Sequence, residues 1–288
     1  MFSIPACEDY IMGTLTVPGP TIGVDSKDIH ASAAPSPCLD IRDISLTFSS
    51  GSRSVTALEH ISLQVPENEF AVIVGPSGCG KSSLLYLTAG LMAPTAGEIR
   101  VNDQRVTGPG ADRGMVFQSY TLFPWLSVRD NVAFGLKRRR IRPAQRQEIV
   151  EQYLREVGLE SFADAWPRQL SGGMMQRVAI ARALANDPDI LLMDEPFGAL
   201  DSQTRLSMQQ LLLDVWEHNS KTVLFVTHDI DEAILLADRI YVMSGRPGVI
   251  CETIDVPLKR PRSSEVVMDA SFIEIKRQIL SRLHQHDD

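Results

Sequence analysis

The sequence predicts an α/β fold with a parallel sheet at its centre, and three observations predict it. Phe70-Ala-Val-Ile-Val74 and Ile190-Leu-Leu-Met193 are short, continuous apolar runs. Runs of that length read as strands buried on both faces. Gly75-Pro-Ser-Gly-Cys-Gly-Lys81-Ser82 follows the first run and fits the phosphate-loop pattern. After it, Leu84, Leu85, Leu87 and Leu91 recur at roughly helical spacing. Strand, glycine-rich turn and helix is the context in which such a loop holds phosphate.

The elements follow in chain order. Residues 1–37 are rich in Gly, Pro, Ser and Ala without sustained periodicity, and are expected to form a disordered or loosely attached leader. Residues 38–248 should form the nucleotide domain. Ile44, Leu46 and Phe48 alternate as on a strand. Phe48 is expected either to stack on adenine or to fill the core, and the pattern leaves both open. In the loop, Gly75, Pro76, Ser77, Gly78, Cys79, Gly80, Lys81, Ser82 and Ser83 are candidates to surround phosphate. Glycines let backbone N–H groups turn inward, Lys81 reaches the β- and γ-phosphates, and the Ser82 hydroxyl sits on Mg²⁺. Cys79 lies at a helix start, where thiolates are favoured, so its alkylation is expected to block turnover; the alternative is a small residue that fits the turn.

A helical insert is expected over residues 119–170. It opens on a dense aromatic patch, Ser119-Tyr-Thr-Leu-Phe-Pro-Trp125, where Phe123 and Trp125 either receive a partner helix or fill the core. Lys137 to Arg142 is a basic run, read as a solvated helix face with anionic lipid headgroups as the rival. Ser171 is an N-cap for a helix over Gly172 to Leu184, whose N–H groups and dipole form an anion site. Asp194 ends a buried strand, where it can hold Mg²⁺, and Glu195 is free to act as a general base; adjacent acids that merely end a strand are the alternative. A further strand, Thr222–Val226, precedes His228. Pro247, Pro257 and Pro261 break the chain into a tail over residues 249–288. There Phe272, Ile275, Ile279 and Leu283 predict a short amphipathic helix packed on its own domain. His284 and His286 could bind a metal weakly, but a solvated tail is the expectation.

The 288 residues allow one large α/β domain. A formal net charge of −8 argues against nucleic acid as a partner. No stretch approaches the roughly twenty apolar residues that span a bilayer, and the N-terminus lacks a secretory pattern. Cys7, Cys38, Cys79 and Cys251 are spaced neither as metal ligands nor as redox pairs, so a reducing, cytoplasmic setting is expected.

With Gln118, Leu170-Ser-Gly-Gly-Met174, Asp194-Glu195, Gly198-Ala-Leu-Asp201 and His228 added to the loop, the chain resembles the ATP-binding cassette (ABC) ATPases over roughly Leu39 to Gly248. The resemblance implies a P-loop NTPase (RecA-like) core with an N-terminal antiparallel β subdomain and an inserted α-helical subdomain. It implies ATP and Mg²⁺, the metal touched by Ser82, Gln118 and Asp194, and catalysis by Glu195, His228, Lys81 and Gln118. Ser171, Gly172, Gly173 and Asp201 would grip the nucleotide of an opposed copy, making an ATP-sandwiched dimer with itself or with a homologous ATPase. The other implied partners are separate transmembrane permease subunits and an extracytoplasmic solute-binding protein. The implied location is peripheral, on the cytoplasmic face of the inner (plasma) membrane. Asp112 to Gln118, Leu122 to Leu126 and Ser244 to Ile250 are similar to the importer branch for nitrate, sulfonates and taurine. The alternatives are a soluble cassette ATPase acting in assembly or on nucleic acid, and a small-molecule phosphotransferase. Three positions depart from the family pattern: Met174 and Gly198 stand where glutamine and serine are usual, and Asn68 where glycine is usual. Asparagine tolerates the left-handed backbone that position needs.

Overall fold

The computed structural model describes residues 37–50 and 53–284. All but the last residue of the expected leader lies outside them, as do the side chains of His284 and His286. The described chain is built on two sheets. β1 (Leu39–Ser50), β2 (Arg53–Val65), β4 (Ala96–Val101) and β5 (Gln104–Arg105) make an antiparallel sheet in the order β2-β1-β4-β5. β3 (Phe70–Val74), β6 (Arg113–Val116), β7 (Ile190–Asp194), β8 (Thr222–Thr227), β9 (Arg239–Met243) and β10 (Ile250–Asp255) make the second, in the order β10-β9-β3-β8-β7-β6. Its four pairings from β9 to β6 are parallel, and β10 closes one edge antiparallel.

Alternation along the parallel strands sorts their side chains into two apolar layers. Ala71, Ile73, Ile190, Leu192, Leu224 and Val226 face the antiparallel sheet, meeting Leu39, Ile41, Ile44 and Leu58 together with Leu84 and Leu85 of α1 (Lys81–Thr88). Phe70, Val72, Val74, Leu191, Met193, Val223 and Phe225 face the other way, into a helical layer. This explains why these strands read as unbroken apolar runs: neither face meets water. Asn68 takes the turn into β3 at φ 61°, the left-handed backbone expected there.

The helical layer contains α2 (Val128–Arg138), α3 (Pro143–Glu156), α4 (Gly172–Leu184) and α5 (Ser202–Asn219). α2 presents Val128, Val132 and Leu136 to the core and packs against α4. It ends in a Schellman motif: Ile141 N–H donates to Leu136 O at 3.1 Å and Arg140 N–H to Lys137 O at 3.1 Å. Arg140 sits there at φ 58°, where glycine would be easier by about 1 kcal/mol.

α6 (Ile230–Leu236) follows His228 directly, and the tail fastens its far end. Arg262, 2 % exposed, donates to the carbonyls of Ile234, Leu235 and Ala237 and to those of Val256 and Leu258. Burial pulls its guanidinium down to about 10. Arg260 stacks on Trp216, 4.2 Å from the ring centroid, and bonds Leu236 O. α7 (Ala270–His284) buries Phe272, Ile275 and Ile279 in the same core, and Lys276 pairs with Asp231 at 2.6 Å. Its apolar face is therefore covered by its own domain.

Candidate nucleotide site

At the end of β3 the chain turns through Gly75–Gly80 into α1. Gly78 and Gly80 have φ 79° and 109°, a region that L side chains avoid. Arg246 fixes the turn: its Nε donates to Gly78 O at 2.8 Å, and its guanidinium occupies the space a Cβ on Gly78 would need. Lys81, 3 % exposed, donates through Nζ to Gly75 O at 2.8 Å and Pro76 O at 3.0 Å. The same ammonium lies 3.6 Å from Glu195 Oε1.

Glu195 is the first residue after β7 and adopts φ 39°, a strained backbone worth about 1–3 kcal/mol. Its N–H donates to Val226 O at 3.0 Å and its carbonyl accepts from Gly198 N–H at 3.1 Å. That turn brings the carboxylate between Lys81 and His228, whose Nδ1 lies 2.8 Å from Glu195 Oε2. Ser82 Oγ donates to Asp194 Oδ1 at 2.7 Å. Tyr86 also bonds Asp194; burial first, then this partner, pushes its phenol up to about 12, so it stays protonated.

Of these groups, Lys81, Ser82 and Glu195 line one cleft of about 490 Å³, together with Phe48, Ser77, Gly78, Gly80, Ser83, Gln118 and Arg246. Phe48 is 48 % exposed on its wall and fills no core. The Ser82 hydroxyl and Asp194 carboxylate form an oxygen pair of the hard type that Mg²⁺ prefers. Among the described residues no group of three or more His, Cys, Asp or Glu could hold a metal. A Mg²⁺ ion at the Ser82–Asp194 pair would take its remaining ligands from phosphate and water oxygens.

Cys79 requires a correction. Its side chain is 1 % exposed and burial pushes the thiol up. Desolvation outweighs the neighbouring Lys81, so the residue fills the turn and is not a reactive thiolate.

Ser171, Gly173 and Met174 line a different cleft of about 460 Å³, with Arg177, Gln203 and Thr204, and it shares no residue with the first. Ser171 Oγ caps α4 by accepting from Met174 N–H at 3.3 Å. Asp201 caps α5 by accepting from Thr204 N–H at 3.0 Å, and that bond holds its carboxyl below the usual range. The structure thus brings Phe48, the phosphate loop, Gln118, Asp194, Glu195 and His228 together, and leaves Ser171–Gly173 and Asp201 apart from them.

Sequence reasoning missed Arg246 and Tyr86. Arg246 lay inside a noticed stretch without a role, and nothing in its spacing from the loop signals the contact. Tyr86 lies in register with Ser82, one turn along α1, and that i+4 spacing could have found it.

A family model described as ABC transporter matches residues 58–198. An uncharacterised ABC transporter ATP-binding protein of Methanocaldococcus jannaschii is 51% identical over 245 residues, covering 85% of this chain and 91% of that protein. The nitrate import ATP-binding protein of a Synechocystis species is 50% identical over 240 residues, covering 83% and 89%. A solved dimeric ATP-binding cassette in a post-hydrolysis state with ADP and Pi superposes with TM-score 0.68 at 35% identity, covering 77% of this chain and 100% of that one.

Proposed function

Because the chain belongs to the ABC transporter family of ATP-binding subunits, we propose that it hydrolyses ATP to drive a membrane importer for a small anion such as nitrate, a sulfonate or taurine. The observation that carries the catalytic reading is the chain Lys81–Glu195–His228 at the mouth of the phosphate loop.

ATP is the substrate. Phe48 offers a face for adenine, and the loop N–H groups and α1 N-terminus receive the phosphates. Lys81 exchanges its bonds to Gly75 O, Pro76 O and Glu195 for bonds to phosphate oxygen. Mg²⁺, held by Ser82, Asp194 and Gln118, would neutralise charge on the phosphates. Glu195, released from Lys81, accepts a proton from the attacking water on a carboxylate oxygen, while His228 Nδ1 holds the other. The separation of the Ser171 cleft from this one within a single chain supports action of Ser171, Gly172, Gly173 and Asp201 on the nucleotide of a second copy or a homologous ATPase.

The output surface lies at Gln118–Gly135. A cleft of about 520 Å³ is lined there by Phe117, Phe123 and Phe134, with Trp125 68 % exposed beside it. Asn131 Nδ2 holds the carbonyls of Phe123, Leu126 and Ser127, and its Oδ1 accepts from Phe123 N–H. Arg182 binds Thr121 and lies over Phe123. A rigid, exposed aromatic surface suits a short helix of a separate permease subunit. Among the described residues no helix is long and apolar enough to cross a membrane, which is consistent with that division of labour. The chain would then sit peripherally at the cytoplasmic membrane face, fed by an extracytoplasmic solute-binding protein. Residues 119–170 act as the helical subdomain between the two sites, and residues 249–288 as the strap behind α6.

Glu195→Gln is expected to keep ATP binding, to lower turnover about 10²–10⁴-fold and to trap a dimer in ATP. Turnover near the parent rate would remove Glu195 as the base.

A further inference from the structure

We propose that Arg138, Arg140 and Arg142, beside the aromatic cleft, bind the anionic headgroups of a lipid bilayer. The inference rests on the reading of this chain as a membrane importer's subunit, and adds a lipid contact to it.

The placement is the first argument. Phe134 and Arg138 are four apart on α2, so they share a face, and both line the aromatic cleft. Phe134 is exposed on that face, and Trp125 is exposed with its ring centroid 5.6 Å from that of Phe123, another ring of the cleft. Aromatic rings next to Lys and Arg are the side-chain mixture favoured where protein meets a membrane surface.

The second argument is charge. The chain carries a net −8, yet Lys137 through Arg140 and Arg142 are exposed in one run. Lys137 is neutralised by Asp130 at 2.6 Å, and Arg139 donates to Asn186 O. Among the described residues, Arg138, Arg140 and Arg142 make no ion pair. The helix dipole accounts for Arg138 in the last turn. It does not account for Arg140 and Arg142, which lie past the helix end.

The third argument is conformational. Arg140 occupies the left-handed capping position where glycine fits with less strain. Neither fold nor ion pairing explains an arginine there, whereas a cation presented to an external anionic surface does. An acidic protein partner would use the same cations, but three charges spread from the last turn of α2 to the start of α3 fit a diffuse surface better than one carboxylate.

The test is co-sedimentation of the full chain with vesicles of phosphatidylcholine containing phosphatidylglycerol, and with vesicles of phosphatidylcholine alone. Binding is expected to the anionic vesicles only, and to vanish at about 1 M salt, where the Debye length falls to about 3 Å. Arg140→Gly should weaken it about fivefold without lowering the melting temperature, and the triple variant R138Q/R140G/R142Q about a hundredfold. Equal binding to both vesicle types, no binding to either, or unchanged binding of a folded triple variant overturns the proposal. So does capture by soluble polyglutamate without capture by vesicles. None of these outcomes touches the permease reading, which is tested separately by co-purification with a multi-spanning membrane protein.

Discussion

Glu195 is held by opposed demands. Its backbone is strained, one carboxylate oxygen faces Lys81 and the other faces His228. Strain at such a position persists only where neighbours over-determine it, here through Val226 O and Gly198 N–H. A short way along the chain stands a carboxylate of another kind. Glu232 is buried beside Thr227 and accepts from Gln209 Nε2 at 2.9 Å, and burial pushes its pKa up. A folded pKa above the unfolded value means stability that is full below about pH 4.5 and is lost as pH rises through the folded pKa. Glu232→Gln keeps a hydrogen-bonding side chain and removes the titration. Its melting temperature should match the parent at acid pH and exceed it increasingly toward pH 8. A constant difference across that range would mean that Glu232 does not carry a buried charge.

At the scale of elements, the loop, its strand and its helix were legible in the sequence because each is local: glycine spacing, an apolar run and a leucine periodicity lie side by side. The same holds for the N-cap at Ser171. Contacts between distant segments were not legible. Arg246 reaches Gly78 across most of the chain, and Asn131 locks the aromatic loop from a helix whose sequence shows only its apolar stripe. The Arg-Pro-Arg segment of the tail read as a break, yet Arg262 holds the C-terminal carbonyls of α6. Removing it leaves several buried carbonyls unpaired. Arg262→Ala should therefore cost about 3 kcal/mol in chemical denaturation. A loss below about 0.5 kcal/mol, the size typical of surface substitutions, would show that α6 does not depend on the tail.

At the scale of the molecule, the phosphate loop and Ser171 line two separate clefts of one chain. The phosphate-loop cleft holds Lys81, Ser82 and the Glu195 carboxylate, whereas Ser171 lines another cleft. ATP joining the two clefts across a dimer would make closure depend on the γ-phosphate. Shifting a dimer from mostly open to mostly closed needs about 5.5 kcal/mol of differential affinity. Charge-assisted bonds from Lys81, the loop and the opposite α4 can supply that. The direct measurement is ATPase activity after mixing two inactive variants, Lys81→Ala and Ser171→Arg. A shared site requires that the mixed dimer regain one intact pocket, formed by the loop of the Ser171→Arg copy and the Ser171 helix of the Lys81→Ala copy, restoring up to about a quarter of the parent rate. A mixture in which heterodimers form yet hydrolyse no more ATP than either variant alone would contradict the account.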